Sequence, residues 1–275
     1  MLTALTIKDY FNASKRQVVF RFDRIRFEVI RYNNIHICHI IYYKYGKNIR
    51  WQKIRRLAGN ESQYILCSNK IEFPENSGLK RYTTNLLKER IAENSATEVL
   101  KRISRTNQHL PVGIYDKNAV KTELAEIIIR YTNQLTIVTD DTENYYRICQ
   151  QIMNNTGAVI RIKKELSALK NTSLIIAPQK ITQNIPVQND TVIFTSEKPS
   201  VCQNGYVYFQ YMLSLNDNYK EIKPHSLSDE YFAQALYDKG RQYRLGSSLP
   251  ILCISESMHS TISEISNFLV KSVKE

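Results

Sequence analysis

Apolar and polar positions alternate with period two over residues 16–45, adopt helical spacing over 77–105, and from residue 110 switch repeatedly between the two. Residues 16–22 and 24–31 interleave charged side chains, among them Arg16, Arg21, Arg24, Arg26 and Arg31, with Val, Phe and Ile, as half-exposed strands do. Tyr32-Asn33-Asn34 is a turn signal, and residues 35–43 return as a third strand. The expectation is an antiparallel meander with one wet, arginine-studded face. A short helix over 51–57 follows, broken at Gly59-Asn60, and then a buried strand over 63–67. Leu79, Thr83, Leu86, Leu87 and Ile91 share a helical face. Ser95-x-x-Glu98 reads as a capping box that opens a second short helix ending at Ile103.

Beyond residue 110 strands and helices alternate. A strand over 111–115 leads to a helix over 118–131 with Val120, Leu124, Ile127, Ile128 and Tyr131 on one stripe. A strand over 135–139 leads to a helix over 142–155, striped by Tyr145, Ile148, Cys149, Ile152 and Met153 and closed at Gly157. Strands over 158–162, 174–177 and 191–195 follow. Short apolar strands separated by amphipathic helices predict a parallel sheet covered on both faces and wound by right-handed crossovers. A tyrosine-rich strand over 206–213, a helix from Ser228 to Asp238, a strand over 249–254 and a last helix over 258–270 complete the pattern. The fold class expected is α/β: a doubly wound, mostly parallel Rossmann-like sheet, an N-terminal antiparallel β-rich unit and C-terminal helices. The divisions expected are 1–76, a basic β-rich unit; 77–109, connecting helices; and 110–275, the α/β unit with its helical cover.

The run from Val112 and Ile114 through the first helix and second strand to Asp140, with Leu169 to Ala177 beyond, resembles the Rossmann NAD(P)-binding domain. The shikimate dehydrogenase-like and glutamyl-tRNA reductase-like forms are included in that resemblance. It covers about a quarter of the chain and implies a dinucleotide in the crevice at the strand ends. The whole order is also similar to Rossmann-like proteins of AT-rich, low-GC Gram-positive bacteria, a resemblance that implies no activity. Laid on Gly-x-Gly-x-x-Gly, however, the three glycine positions fall on Asp116, Asn118 and Lys121. The first glycine permits the tight turn and the second lets the pyrophosphate touch backbone. A carboxylate at Asp116 facing the phosphates would repel them, so NAD(P) is not favoured, and helix capping by Asp116 and Asn118 accounts for both. Asp140, at the ribose-binding position, also fits a cap in Asp140-x-x-Glu143. It becomes a ligand residue only if Lys117 and Lys121 offset Asp116.

Charge changes the picture at the N-terminal end. The chain carries a net charge of +12, and residues 1–60 hold 13 Lys+Arg against 3 Asp+Glu. Arg24, Arg26 and Arg55, interleaved with Tyr43, Tyr45 and Trp51, suggest polyanion contact, single-stranded nucleic acid in particular. Arginines on an exposed strand also serve to block edge pairing. His36, Cys38 and His39 cannot all meet one ion from a single strand, because side chains alternate, so no metal site is expected. His225 stands out in a loop expected near the strand ends. The five cysteines have no Cys-x-x-Cys spacing and read as reduced thiols. No apolar run spans a membrane, and the expected location is cytoplasmic. The expected role is binding, scaffolding or regulation. The alternatives are an NAD(P)- or other nucleotide-dependent oxidoreductase with an altered phosphate loop, and a single-strand binder.

Overall fold

The computed structural model describes residues 1–10, 22–105 and 110–272. Strands β1 (Leu2–Asp9), β2 (Arg24–Tyr32) and β3 (Ile35–Lys44) precede helix α1 (Trp51–Ala58) and β4 (Ile65–Cys67). Next come α2 (Leu86–Ile103), β5 (Val112–Tyr115), α3 (Glu123–Ile128), β6 (Leu135–Val138), α4 (Thr142–Thr156) and β7 (Arg161–Lys163). Then follow β8 (Leu174–Ala177), β9 (Val192–Thr195), β10 (Tyr206–Tyr208), β11 (Gln210–Met212), α5 (Asp217–Ile222) and α6 (Asp229–Asp238). The chain ends in β12 (Leu252–Ile254), β13 (His259–Ser260) and α7 (Ile262–Ser272). Two compact units result: Met1–Thr84 with Leu215–Leu245, and Asn85–Ser214 with Gly246–Glu275.

The first unit holds a four-stranded sheet in the order β2-β3-β1-β4. Its β2–β3 pair is the expected antiparallel hairpin, turned at Asn33 with φ 48°. The expected strand over 16–22, with Arg16 and Arg21, lies outside the described residues except for Phe22. What joins β3 on its inner side is β1, which runs parallel to both β3 and β4, so the sheet is mixed where a meander was expected. Leu5, Ile40, Tyr42 and Ile65 point to one face and bury Ile54 and Ala58 of α1. Helix α6 starts at Ser228, whose side chain accepts from the Tyr231 amide, as an N-cap should.

The second unit is built on six parallel strands in the order β10-β9-β8-β5-β6-β7. Counted outward from β5, this is the strand order of a doubly wound dinucleotide-type fold, with its switch point between β5 and β8. The expected fold class therefore holds. Helix α2 lies against β8 and β9 and packs on α3 and α7. The opposite face, which carries Tyr115, Ile175 and Ile193, is covered by a short 3-10 turn at Leu166–Leu169 and by Ile181, Ile185 and Val187. No helix forms in the crossover from β8 to β9, where Pro178 and Pro186 remove backbone donors. Gln203 clamps it instead, accepting from the Ile185 amide at 2.9 Å and donating to the Gln183 carbonyl at 2.9 Å.

Three expectations about elements are corrected. Residues 86–103 form one helix: Ser95 sits inside it and donates to the Ile91 carbonyl at 2.7 Å rather than opening a second one. Helix α3 has six residues in place of the expected fourteen or so, because residues 116–121 are folded into a tight turn. The strand expected over 206–213 divides at Phe209, β10 extending the parallel sheet and β11 pairing antiparallel with β12.

Candidate functional site

In a doubly wound sheet ligands bind beyond the carboxyl ends of the strands at the switch point, so here the turn after β5 decides what fits. Asp116 leaves β5 with its amide on the Val138 carbonyl at 3.1 Å, and its own carbonyl accepts from the Ala119 amide at 3.2 Å. The side chain bends back into the protein and is 1% exposed. Oδ1 accepts from the Val120 amide at 3.1 Å, and Oδ2 accepts from the Lys121 amide at 2.7 Å and from the Tyr145 hydroxyl at 2.9 Å. The turn thus encloses an anion of its own. Closing it forces Ala119 to φ 51°, a left-handed conformation that suits glycine.

This geometry corrects the capping expectation. Asp116 does not cap α3, whose N-cap is Thr122 without a side-chain bond, and Asn118 is exposed. Nor does the Asp116 carboxylate face outward. It consumes the amides that a glycine turn would present to a ligand. The third partner, Tyr145, reads in the sequence only as a core position on the α4 stripe. Burial first, then Asp116, pushes its phenol far above the ordinary tyrosine value. A fully buried tyrosine needs a partner for its hydroxyl, and that was the available signal.

Lys121 also turns inward. Its Nζ lies 3.1 Å from Glu93 Oε1 and 3.4 Å from Glu89 Oε2, both on α2, while Arg90 holds the other Glu93 oxygen at 2.9 Å. Glu93 Oε1 has no aligned hydrogen bond, so charge holds it. Burial draws the Lys121 ammonium down, but Glu93 and Glu89 outweigh it and leave the pKa raised. Burial raises Glu89 despite Lys121. Lys121 therefore does not reach out to offset Asp116.

Asp140 stays outside. The cap of α4 is Asp141, which accepts from the Asn144 amide, so the expected Asp140-x-x-Glu143 cap does not form. Asp140 is exposed at the end of β6, 4.0 Å from the Lys117 ammonium. Its amide donates to the Lys117 carbonyl at 2.9 Å, tying the two strand ends together. The structure thus turns Asp116 and Lys121 inward and leaves Asn118 and Asp140 in solvent.

The candidate polyanion residues do not converge. Arg24 and Arg26 lie opposite Tyr43 and Ile41 on one face of the first sheet, and Arg26 pairs with Glu28 at 2.6 Å. Trp51 and Arg55 belong to α1, which packs on the other face, and Trp51 meets Phe73 edge-on at 5.6 Å. Trp51 is half-buried and engaged in packing on that side.

His36 and Cys38 share a face that His39 does not, and among the described residues no group of three His, Cys, Asp or Glu could hold a metal ion. His225, expected near the ends of the parallel strands, belongs to the first unit and not to the unit that holds those strands. There His39 Nε2 meets Thr6 Oγ1 at 2.9 Å, and Thr6 Oγ1 meets Ser226 Oγ at 2.8 Å. Burial lowers the His39 pKa, and Lys8 and His225 add to it against the opposing pull of Glu28.

No family model matches the chain, and no curated protein matches it. Among solved structures, one similar chain is the Δ1-pyrroline-2-carboxylate reductase of Thermococcus litoralis, determined with NADH and L-proline. The identity is 10% and the TM-score 0.28, over 38% of this chain and 34% of that one. This chain therefore spans about a third of the reductase's length. Another is the L-tryptophan dehydrogenase of Nostoc punctiforme, at 8% identity and TM-score 0.32, over 86% of this chain and 68% of that one. The fold assignment rests on the strand order described above. Among the described residues no helix is long and apolar enough to cross a membrane.

Proposed function

We propose that the parallel-sheet unit serves a binding, scaffolding or regulatory role and does not hold a dinucleotide at the β5 turn. One observation supports this reading. The Val120 and Lys121 amides are already bonded to a carboxylate that belongs to the fold. A pyrophosphate arriving there meets a like charge and loses those two donors. Attraction by a helix N-terminus, about 1 kcal/mol, does not offset that. Calorimetric titration with NADH and NADPH tests the reading. No saturable heat that also moves the Val120 and Lys121 amide resonances is expected at millimolar cofactor, and one-to-one binding that moves both would contradict it.

A second reading, nucleotide-dependent redox chemistry with the ligand outside the turn, draws on the exposure of Lys117, Asn118 and Asp140 at the strand ends. In that pose Asp140 accepts from a ribose hydroxyl and Lys117 meets a phosphate. Asp140→Asn would then abolish nucleotide binding, whereas an unchanged titration would remove this reading.

A further inference from the structure

The first unit contains a concave surface whose chemistry suits an anion. Helix α1 ends in Arg55, Arg56, Leu57 and Ala58, and the chain then reverses through Gly59, at φ 56°, into a 3-10 turn at Gly59–Gln63. That reversal and the Glu75–Ser77 turn enclose a cleft of 650 Å³ lined by Gln52, Arg55, Arg56, Gly59, Asn60, Ser62, Asn76 and Ser77. Among the described residues no carboxylate lines it: Glu61 and Glu75, next in sequence to Asn60 and Asn76, are absent from the wall. Every polar side chain in the lining can donate a hydrogen bond.

Two details show that the cleft is held in shape. The Arg55 guanidinium lies against the bare Cα of Gly78: a Cβ there would sit 2.7 Å from Cζ, and φ is +66°. Glycine is thus required twice, once by the backbone and once by the arginine seated on it. Ser77 is 4% exposed, and its Oγ accepts from the Leu79 amide at 3.2 Å, which leaves its own proton to donate. Among the described residues neither Arg55 nor Arg56 lies within ion-pair distance of a carboxylate, in contrast to Arg26, Arg90, Arg102 and Arg147.

We propose that this cleft binds the phosphate group of a small phosphorylated ligand, through Arg55 and Arg56 with the amide and hydroxyl donors beside them. Paired guanidiniums match phosphate oxygens in geometry as well as charge. A small ligand fits better than a nucleic-acid strand, because Arg24 and Arg26 stand on the opposite face of the sheet and supply no continuing cationic track. The assignment is independent of the reading given for the β5 turn.

Inorganic pyrophosphate is the probe. Calorimetry at low salt is expected to give one site per chain, weakened about tenfold or more by Arg55→Gln and by Arg56→Gln, each removing a charge-assisted bond. Arg24→Gln is expected to leave the affinity unchanged, and added salt to weaken it. Circular dichroism of each variant checks that it folds. Should Gly78→Ala fold, it is expected to weaken binding too, by displacing Arg55. Absence of binding at millimolar pyrophosphate would overturn the proposal. So would binding that ignores both glutamine variants, or retention of an oligonucleotide by a protein to which pyrophosphate is inert.

Discussion

At the scale of single residues, the account turns on how residues 116–121 share their hydrogen bonds. Ala119 pays for the closed turn with φ 51°. Ala119→Gly is therefore expected to stabilise the protein by about 1 kcal/mol, read as a higher urea midpoint with unchanged slope. A lower midpoint would show that the turn is not under this strain. Tyr145→Phe keeps the packing and removes one donor from a buried carboxylate, so a loss of about 1.5–3 kcal/mol is expected in the same assay. The variant should also differ at alkaline pH. The native phenol titrates above the unfolded value of 10.0, so its contribution is intact below pH 10.0 and is lost as pH rises beyond it. Stability of the wild type should fall in that range more steeply than that of Tyr145→Phe; equal slopes would place Tyr145 elsewhere. Among the cysteines, Cys202 is exposed, whereas burial lifts Cys67 and Cys149 to about 11 and Cys253 to about 12. Mass spectrometry after brief alkylation should find Cys202 modified first, and early modification of Cys67 or Cys253 would contradict the packing.

At the scale of elements, the sequence was readable where a segment obeys one rule and misleading where two compete. The hairpin β2–β3 and helices α1, α4 and α6 follow their periodicity closely. Helix α3 does not, because Asp116 captures two amides that helical spacing assigns to a longer helix. Ser95-x-x-Glu98 imitates a helix start, yet the apolar stripe continues through it and burial wins over the local motif. Strand β1 carries no period-two signal because it is covered on both faces over its first half and so does not alternate. Gly113 was equally silent: a Cβ there would stand 2.5 Å from Leu169 Cδ2. Gly113→Ala is expected to cost about 1–3 kcal/mol by overpacking β5 against that turn. A neutral result in denaturant titration would show that the turn yields. His39 makes an acid-side prediction. Its folded pKa lies below the ordinary 6.5, so its contribution is present above pH 6.5 and lost as pH falls below it. Replacement by Gln should flatten that part of the stability profile, and an unaltered profile would mean that His39 does not carry it.

At the scale of the molecule, the doubly wound sheet was legible because its inner strands β5, β6, β8 and β9 are short, apolar and bounded by crossovers. The return of residues 215–245 to the first unit was not, since no composition shift marks either junction and pairings such as Thr6 with Ser226 span most of the chain. The candidate site was legible in its departure from glycine but not in its geometry. Sequence showed an acid at Asp116; only the fold shows that the acid faces inward and serves as the turn's own anion. The direct measurement is the amide spectrum of isotopically labelled protein during addition of NADH. The Val120 and Lys121 resonances are expected to stay fixed through millimolar cofactor, while Asp116→Asn moves both. Saturable shifts of those two amides on adding NADH to the unaltered protein would contradict the account.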